Sequence, residues 1–124
     1  MQTLKSKIDT NSKEFQENKR AYMTLMSRYR DTMDQCMQGG GSLAVEKHKK
    51  RHKLLARERI DQLVDKNTPF LELSPMAALD IYNNDFPSAG IITGIGIIQG
   101  REAIIVANDA TVKGGTYMQY TVKK

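Results

Sequence analysis

The sequence predicts an α/β chain of the α+β kind, with helices first and a β-hairpin after them. Three observations carry that prediction. Tyr22, Met26, Tyr29, Met33 and Cys36 recur at alternating spacings of four and three, which puts them on one stripe of a helix. A second helical stretch ends where Asn67 and Pro69 interrupt it. Beyond Pro69 two runs rich in Ile and Val flank Gln99-Gly100, a hairpin signal.

The first helix is expected over residues 13–37, with charged residues such as Lys19, Arg28, Arg30 and Asp34 between the members of its Met-Tyr stripe. A stripe of this kind reads as a packing face. Gly39-Gly40-Gly41 ends the helix and reads as a hinge or linker, with Ser42 as N-cap of the next. The second helix is expected over 43–66, "LAVEKHKKRHKLLARERIDQLVDK", with Ala56, Ile60, Leu63 and Val64 as its apolar face. "FLELS" reads as a short strand or turn, and "PMAALDIYNNDFPSAG" as a loop. In the first strand of the hairpin Ile92, Gly94, Gly96 and Ile98 share a face whose glycines leave room for another segment to lie close. The hairpin runs into "KGGT", then "TYMQYTVKK". A two-stranded hairpin is poorly stable alone, so these strands expect more sheet.

Length and composition narrow the field. A chain of 124 residues, 40% hydrophobic and 6% aromatic, suits one small domain if most of it packs together. No run approaches the roughly 20 apolar residues of a membrane helix. The opening mixes acids with bases and resembles neither a secretory signal nor an acid-poor transit peptide. The single cysteine, Cys36, excludes an internal disulfide and reads as a small apolar residue on a helix. The reading is a soluble, cytoplasmic protein. Charge is uneven: residues 1–66 hold 15 Lys and Arg against nine acids, whereas residues 67–124 hold four against five.

That basic excess peaks between Lys47 and Arg59, with seven Lys or Arg and two His. The run reads either as a solvated face or as a surface for a polyanion, nucleic acid or a phosphate-rich cofactor such as coenzyme A. His48 and His52 have metal-gripping spacing, but no HExxH glutamate lies between them and the cationic neighbours disfavour a divalent ion. No metal site is expected. The GxGxxxG spacing at 94–100 lies inside a strand with no helix after it, so it is not a dinucleotide fingerprint. Lys113-Gly114-Gly115 either serves a ligand or turns the chain.

Read together, "RHKLLARERIDQLVDKNTPFLELS", "SAGIITGIGIIQGREAIIVANDATVKGGTY" and "TVKK" resemble the carboxyltransferase β subunit of biotin-dependent acyl-CoA carboxylases, with methylcrotonoyl-CoA carboxylase as the nearest branch. The resemblance implies a crotonase-like fold of stacked ββα units. Residues 1–41 would be an N-terminal helical segment with its glycine hinge, and residues 42–124 the start of the carboxyltransferase domain, through its first ββα unit. It implies transfer of CO₂ from carboxybiotin to the γ-carbon of 3-methylcrotonoyl-CoA, as in leucine degradation, with geranoyl-, propionyl- or acetyl-CoA as alternatives. It also implies a chain cut before the catalytic glycine turns, inactive alone and without a catalytic residue of its own.

On the same resemblance, the loop of Asn108, Asp109, Lys113, Gly114, Gly115 and Thr116 would run beside coenzyme A, with Lys113 meeting phosphates and the glycines letting the backbone approach. Lys53, Arg57 and Arg59 would be further phosphate contacts, although a salt-bridge network with Glu58 and Asp61 is the other reading of "ARER". The implied partners are an acyl-CoA, further β subunits, and an α subunit that carries the biotin and uses ATP and Mg. Neither nucleic acid nor membrane is implied. A eukaryotic protein of this family would sit in the mitochondrial matrix. A basic nucleic-acid module is the competing class, supported by the charge run alone. The chain departs from the family pattern at His52, Ala56 and Met118-Gln119. His52 adds bulk near any phosphate, and Met118-Gln119 alters the acyl-pocket wall.

Overall fold

A computed structural model describes residues 6–124; the start of the opening segment, residues 1–5, lies outside the described residues. The chain divides into two compact units, residues 1–31 and 32–124, and the boundary falls inside the first helix. Helix α1 spans Lys13–Met37. Its start is set by Ser12, whose Oγ accepts from Phe15 N–H at 3.2 Å. Within the first unit the expected packing stripe is largely bare: Tyr22 is 60% and Tyr29 49% exposed. At the other end of the helix Cys36 is buried.

The second unit holds the remaining elements: α2 (Ser42–Lys49), α3 (Ala56–Leu63), β1 (Leu71–Leu73), β2 (Ile91–Ile98), β3 (Arg101–Asn108) and α4 (Gln119–Lys123). The single helix expected over 43–66 is two helices. Lys50 to Leu55 break it, His52 adopts a left-handed φ of +56°, and the chain re-enters a helix at Ala56. The break has a physical cause. Five cations crowd residues 47–53, and Ala56 and Ile60 must turn onto the sheet. Lys49 Nζ reaches across the break to Glu58 Oε1 at 2.8 Å, and Leu55 N–H donates to Glu58 Oε2 at 2.8 Å. The hydrogen bond from Lys49 holds the Glu58 carboxyl below the usual glutamate value. Ser42 makes no side-chain cap; Gly41, at φ +83°, precedes it.

The sheet is three-stranded and antiparallel in the order β1-β2-β3, so the hairpin gains the "LEL" stretch as a further strand. The β2–β3 register pairs Ile91 with Asn108 and Ile98 with Arg101. Gln99 (φ +51°) and Gly100 (φ +74°) make the tight turn, both left-handed as a right-twisted hairpin requires. The core lies on one face, where Ala56 and Ile60 of α3 meet Ile92, Ile105 and Ala107, with Val64, Phe70 and Ile98 around them. Each fully buried Ile contributes about 1.5–3 kcal/mol. Gly94 and Gly96 leave the hollow that Phe70 and Val64 fill, as their spacing predicts. The other face is apolar yet open, with Ile104 80% and Val106 61% exposed.

Helix α3 ends at Leu63, ahead of the Asn67-Pro69 signal, because Val64 turns extended and Asp65 is drawn to the hairpin. The Asp65 carboxylate accepts from Gln99 N–H at 2.8 Å and Gly100 N–H at 2.7 Å, and its own N–H donates to Ile97 O. Asp65→Ala is therefore expected to cost about 1.5–3 kcal/mol, the range for bonds to a charged group. A chemical-denaturation midpoint measures this; an unchanged midpoint would mean that the strands alone hold the turn.

Candidate functional site

The turn after β3 is built by its own side chains. Asp109 is buried, and its Oδ1 accepts from Thr111 N–H at 2.9 Å and Thr111 Oγ–H at 2.6 Å. Thr111 Oγ in turn accepts from Gly40 N–H at 3.0 Å, a bond across 71 positions of sequence. Asn108 Nδ2 donates to Gly115 O at 2.9 Å, while its Oδ1 is buried and has no hydrogen-bond partner among the described residues. Lys113, Gly114 and Gly115 form a short 3-10 turn with φ values of +45°, +71° and +84°. A Cβ on Gly114 would meet open space, whereas one on Gly115 would press on Asn108 Nδ2 at 2.8 Å. Thr116 Oγ–H closes the turn on Lys113 O at 2.9 Å.

Against this turn lies a cleft of about 640 Å³. Thr111 and Lys113 line it on one side, with Gly39, Gly40 and Gly41 and the adjoining Cys36. The opposite wall is the loop from Ala77 to Pro87, which includes Asp80 and Asp85. Lys113 Nζ lies 3.2 Å from Asp85 Oδ2 between these walls, both side chains more than half exposed. The triglycine, expected as a hinge, is thus a packed wall. A Cβ on Gly40 would collide with the carbonyl of Thr111.

The loop wall is itself tied down. Ser88 Oγ–H donates to Pro75 O at 2.8 Å and Ala89 N–H to Ala77 O at 2.9 Å. Phe86 and Val112 close over Gly90, and Tyr82 meets Phe86 and Tyr120 edge-on at 5.7 and 6.0 Å. Thr121 Oγ–H donates to Ala89 O at 2.8 Å, docking α4 on the same loop. Lys124 Nζ donates to Ile91 O at 2.7 Å and Ser88 O at 3.2 Å; burial lowers its pKa although the Glu72 charge opposes this.

The residues read from the sequence thus fall into two groups. Lys113 lines the cleft, and Asn108, Asp109, Gly114, Gly115 and Thr116 shape the turn that presents it. Lys53 and Arg59 are exposed on and near the α2–α3 break, outside that lining. Arg57 is turned inward. Its Nη2 and Nε grip Glu72 at 2.8 and 3.1 Å in a fork-to-fork pair, with only 19% and 14% of the two side chains exposed. The ion pair of "ARER" is thus with Glu72, while Glu58 serves Lys49. Sequence reasoning missed Gly40, Asp85 and Glu72 as parts of this region; no local pattern in the chain marks any of them.

Among the described residues, no group of three or more His, Cys, Asp or Glu is placed to hold a metal ion, and no helix is long and apolar enough to cross a membrane.

Residues 47–124 match the carboxyl transferase domain family, and the chain belongs to that family. It is 59% identical over 86 residues to the biotin-dependent 3-methylcrotonyl-coenzyme A carboxylase beta1 subunit of Mycobacterium tuberculosis, covering 69% of this chain and 16% of that protein. It is 48% identical over 117 residues to the mitochondrial methylcrotonoyl-CoA carboxylase beta chain of Arabidopsis thaliana, covering 94% of this chain and 20% of that one. The fold superposes on the beta subunit of geranyl-CoA carboxylase from P. aeruginosa with a TM-score of 0.79 and 33% identity, over 92% of this chain and 21% of that chain. The architecture is thus an α+β part of a crotonase-like carboxyltransferase fold, the fold class that the sequence predicts. The chain spans about a fifth of the length of the curated relatives it matches.

Proposed function

We propose that this chain is part of the carboxyltransferase subunit of a biotin-dependent acyl-CoA carboxylase that acts on 3-methylcrotonoyl-CoA. The observation that carries the reading is the cleft beside the glycine turn, in a chain whose relatives bear that name. A coenzyme A moiety laid along it would find the Lys113 ammonium for a phosphate, in exchange for Asp85. The open space above Gly114 lets a ligand approach the backbone where a side chain would hold it off. Asn108, Asp109, Gly115 and Thr116 keep that turn in shape, and the exposed Lys53 and Arg59 are further partners for phosphate.

Biotin, carried by a partner subunit that uses ATP and Mg²⁺, supplies the carboxyl group, and no residue of this chain is assigned to holding it. Further copies of the subunit complete the assembly, in the bacterial cytoplasm or the mitochondrial matrix. A geranoyl substrate is the second reading, favoured by the superposition on a geranyl-CoA carboxylase.

The test is carboxylation of 3-methylcrotonoyl-, geranoyl-, propionyl- and acetyl-CoA by the complete subunit with its biotin-carrying partner. The highest kcat/KM is expected for 3-methylcrotonoyl-CoA. Turnover of none of the four would refute the reading. Lys113→Ala is expected to raise KM for the acyl-CoA about tenfold with kcat nearly unchanged, the signature of lost uniform binding. An unchanged KM would remove Lys113 from the site.

A further inference from the structure

Behind the cleft lies a polar cluster that neither the acyl-CoA reading nor the relatives' names assign. Arg57 stands at its centre. Besides the fork on Glu72, its Nη1 donates to Met37 O and its Nη2 to Ser88 Oγ, each at 3.4 Å. These contacts reach both sides of the cleft. Met37 lies between Cys36 and Gly39, which line one wall. Ser88 follows Pro87 of the other wall, and its hydroxyl pins Pro75 just ahead of Ala77. Glu72 itself is fixed on β1, where it pairs with Gly94 of the central strand. Arg57 further lines a small crevice of about 40 Å³ with Gly39, Asp109 and Thr111, the last two being residues that lead from β3 into the glycine turn. Cys36 feels the same cluster: burial raises its thiol pKa, while the Arg57 charge opposes the rise.

We infer that Arg57 is a positioning residue for the acyl-CoA cleft, setting the separation of its two walls from one guanidinium held by Glu72. The inference rests on the acyl-CoA reading above. A planar fork is needed for this. Five N–H donors in a fixed plane serve Glu72, Met37 O and Ser88 Oγ at once, whereas a lysine ammonium is a point charge that can satisfy the carboxylate but not the spread of the other two. Arg57 does not line the cleft itself, so it acts through the walls.

The test uses the complete subunit assembled with its biotin-carrying partner, comparing wild type with Arg57→Lys and Glu72→Gln. Both variants keep most of the buried volume and remove the geometry of the fork. Each is expected to raise KM for the acyl-CoA about tenfold while kcat and KM for bicarbonate stay within about twofold, because a displaced wall weakens binding without touching the chemistry. Thermal melting is recorded alongside. A lower Tm with an unchanged acyl-CoA KM in either variant would reduce Arg57 to a purely structural role and overturn the inference, as would failure of both variants to fold. Failure of the acyl-CoA reading looks different: the wild type itself would then show no saturation by any acyl-CoA.

Discussion

Gly94→Val is expected to be the most damaging single substitution in the second unit, lowering stability by about 3 kcal/mol or more, at or beyond the upper end for overpacking. A Cβ at position 94 would overlap Phe70 Cζ and stand 2.5 Å from Leu71 O. A phenyl ring can swing aside, but Leu71 O belongs to β1, which pairs with β2 through this register. Relief therefore requires β1 to part from the sheet, taking with it Glu72 and the ion pair to Arg57. The measurement is a denaturant midpoint with its m-value, with Gly100→Ala as reference. Gly100 has open space but a φ of +74°, so its alanine carries a backbone cost of about 1 kcal/mol and no clash. Equal effects of the two substitutions would show that the close approach of Phe70 and Leu71 does not matter.

Gly40→Ala ranks second, and its effect should appear in function as well as stability. The added methyl would collide with the Thr111 carbonyl and come within 3.1 Å of Val112 N. These are backbone atoms, so the triglycine must lift away from the glycine turn. That breaks the Gly40 N–H to Thr111 Oγ bond and the relay to Asp109. A loss of about 1–3 kcal/mol is expected from the overpacking. With the wall displaced, acyl-CoA KM in the complete enzyme should rise tenfold or more, on the order seen for misplaced binding groups. Wild-type KM in this variant would mean that the triglycine is not a wall of the site.

The two glycines show what a sequence can and cannot reveal. Gly94 alternates with apolar residues in a strand, and period-two patterning alone says that its face must accept a close neighbour. The ring of Phe70 is that neighbour. Gly40 carries no such pattern. Three consecutive glycines read as a linker, because the contact that requires Gly40 is made 71 residues away. The helix expected over 43–66 failed for a related reason. Helical spacing was legible on both sides of residues 50–55, but the pull of Glu58 on Lys49 and the docking of Ile60 on the sheet are tertiary effects that override local propensity. Arg57 illustrates the limit for sites. Its position in a basic run suggested phosphate, and only its partner on β1, fifteen residues on, gives it an inward role. The Asn108–Thr116 turn was the most legible part, because its glycines and the residues flanking them lie together in sequence.

The central claim, that an acyl-CoA lies between the triglycine, the Ala77–Pro87 loop and the glycine turn, is tested most directly by hydrogen exchange of the complete subunit with and without saturating 3-methylcrotonoyl-CoA. The account predicts ligand-dependent protection in peptides covering residues 36–41, 77–87 and 108–116, with little change along β3 itself. Protection confined to other parts of the subunit, with these three segments exchanging as in the free protein, would contradict it.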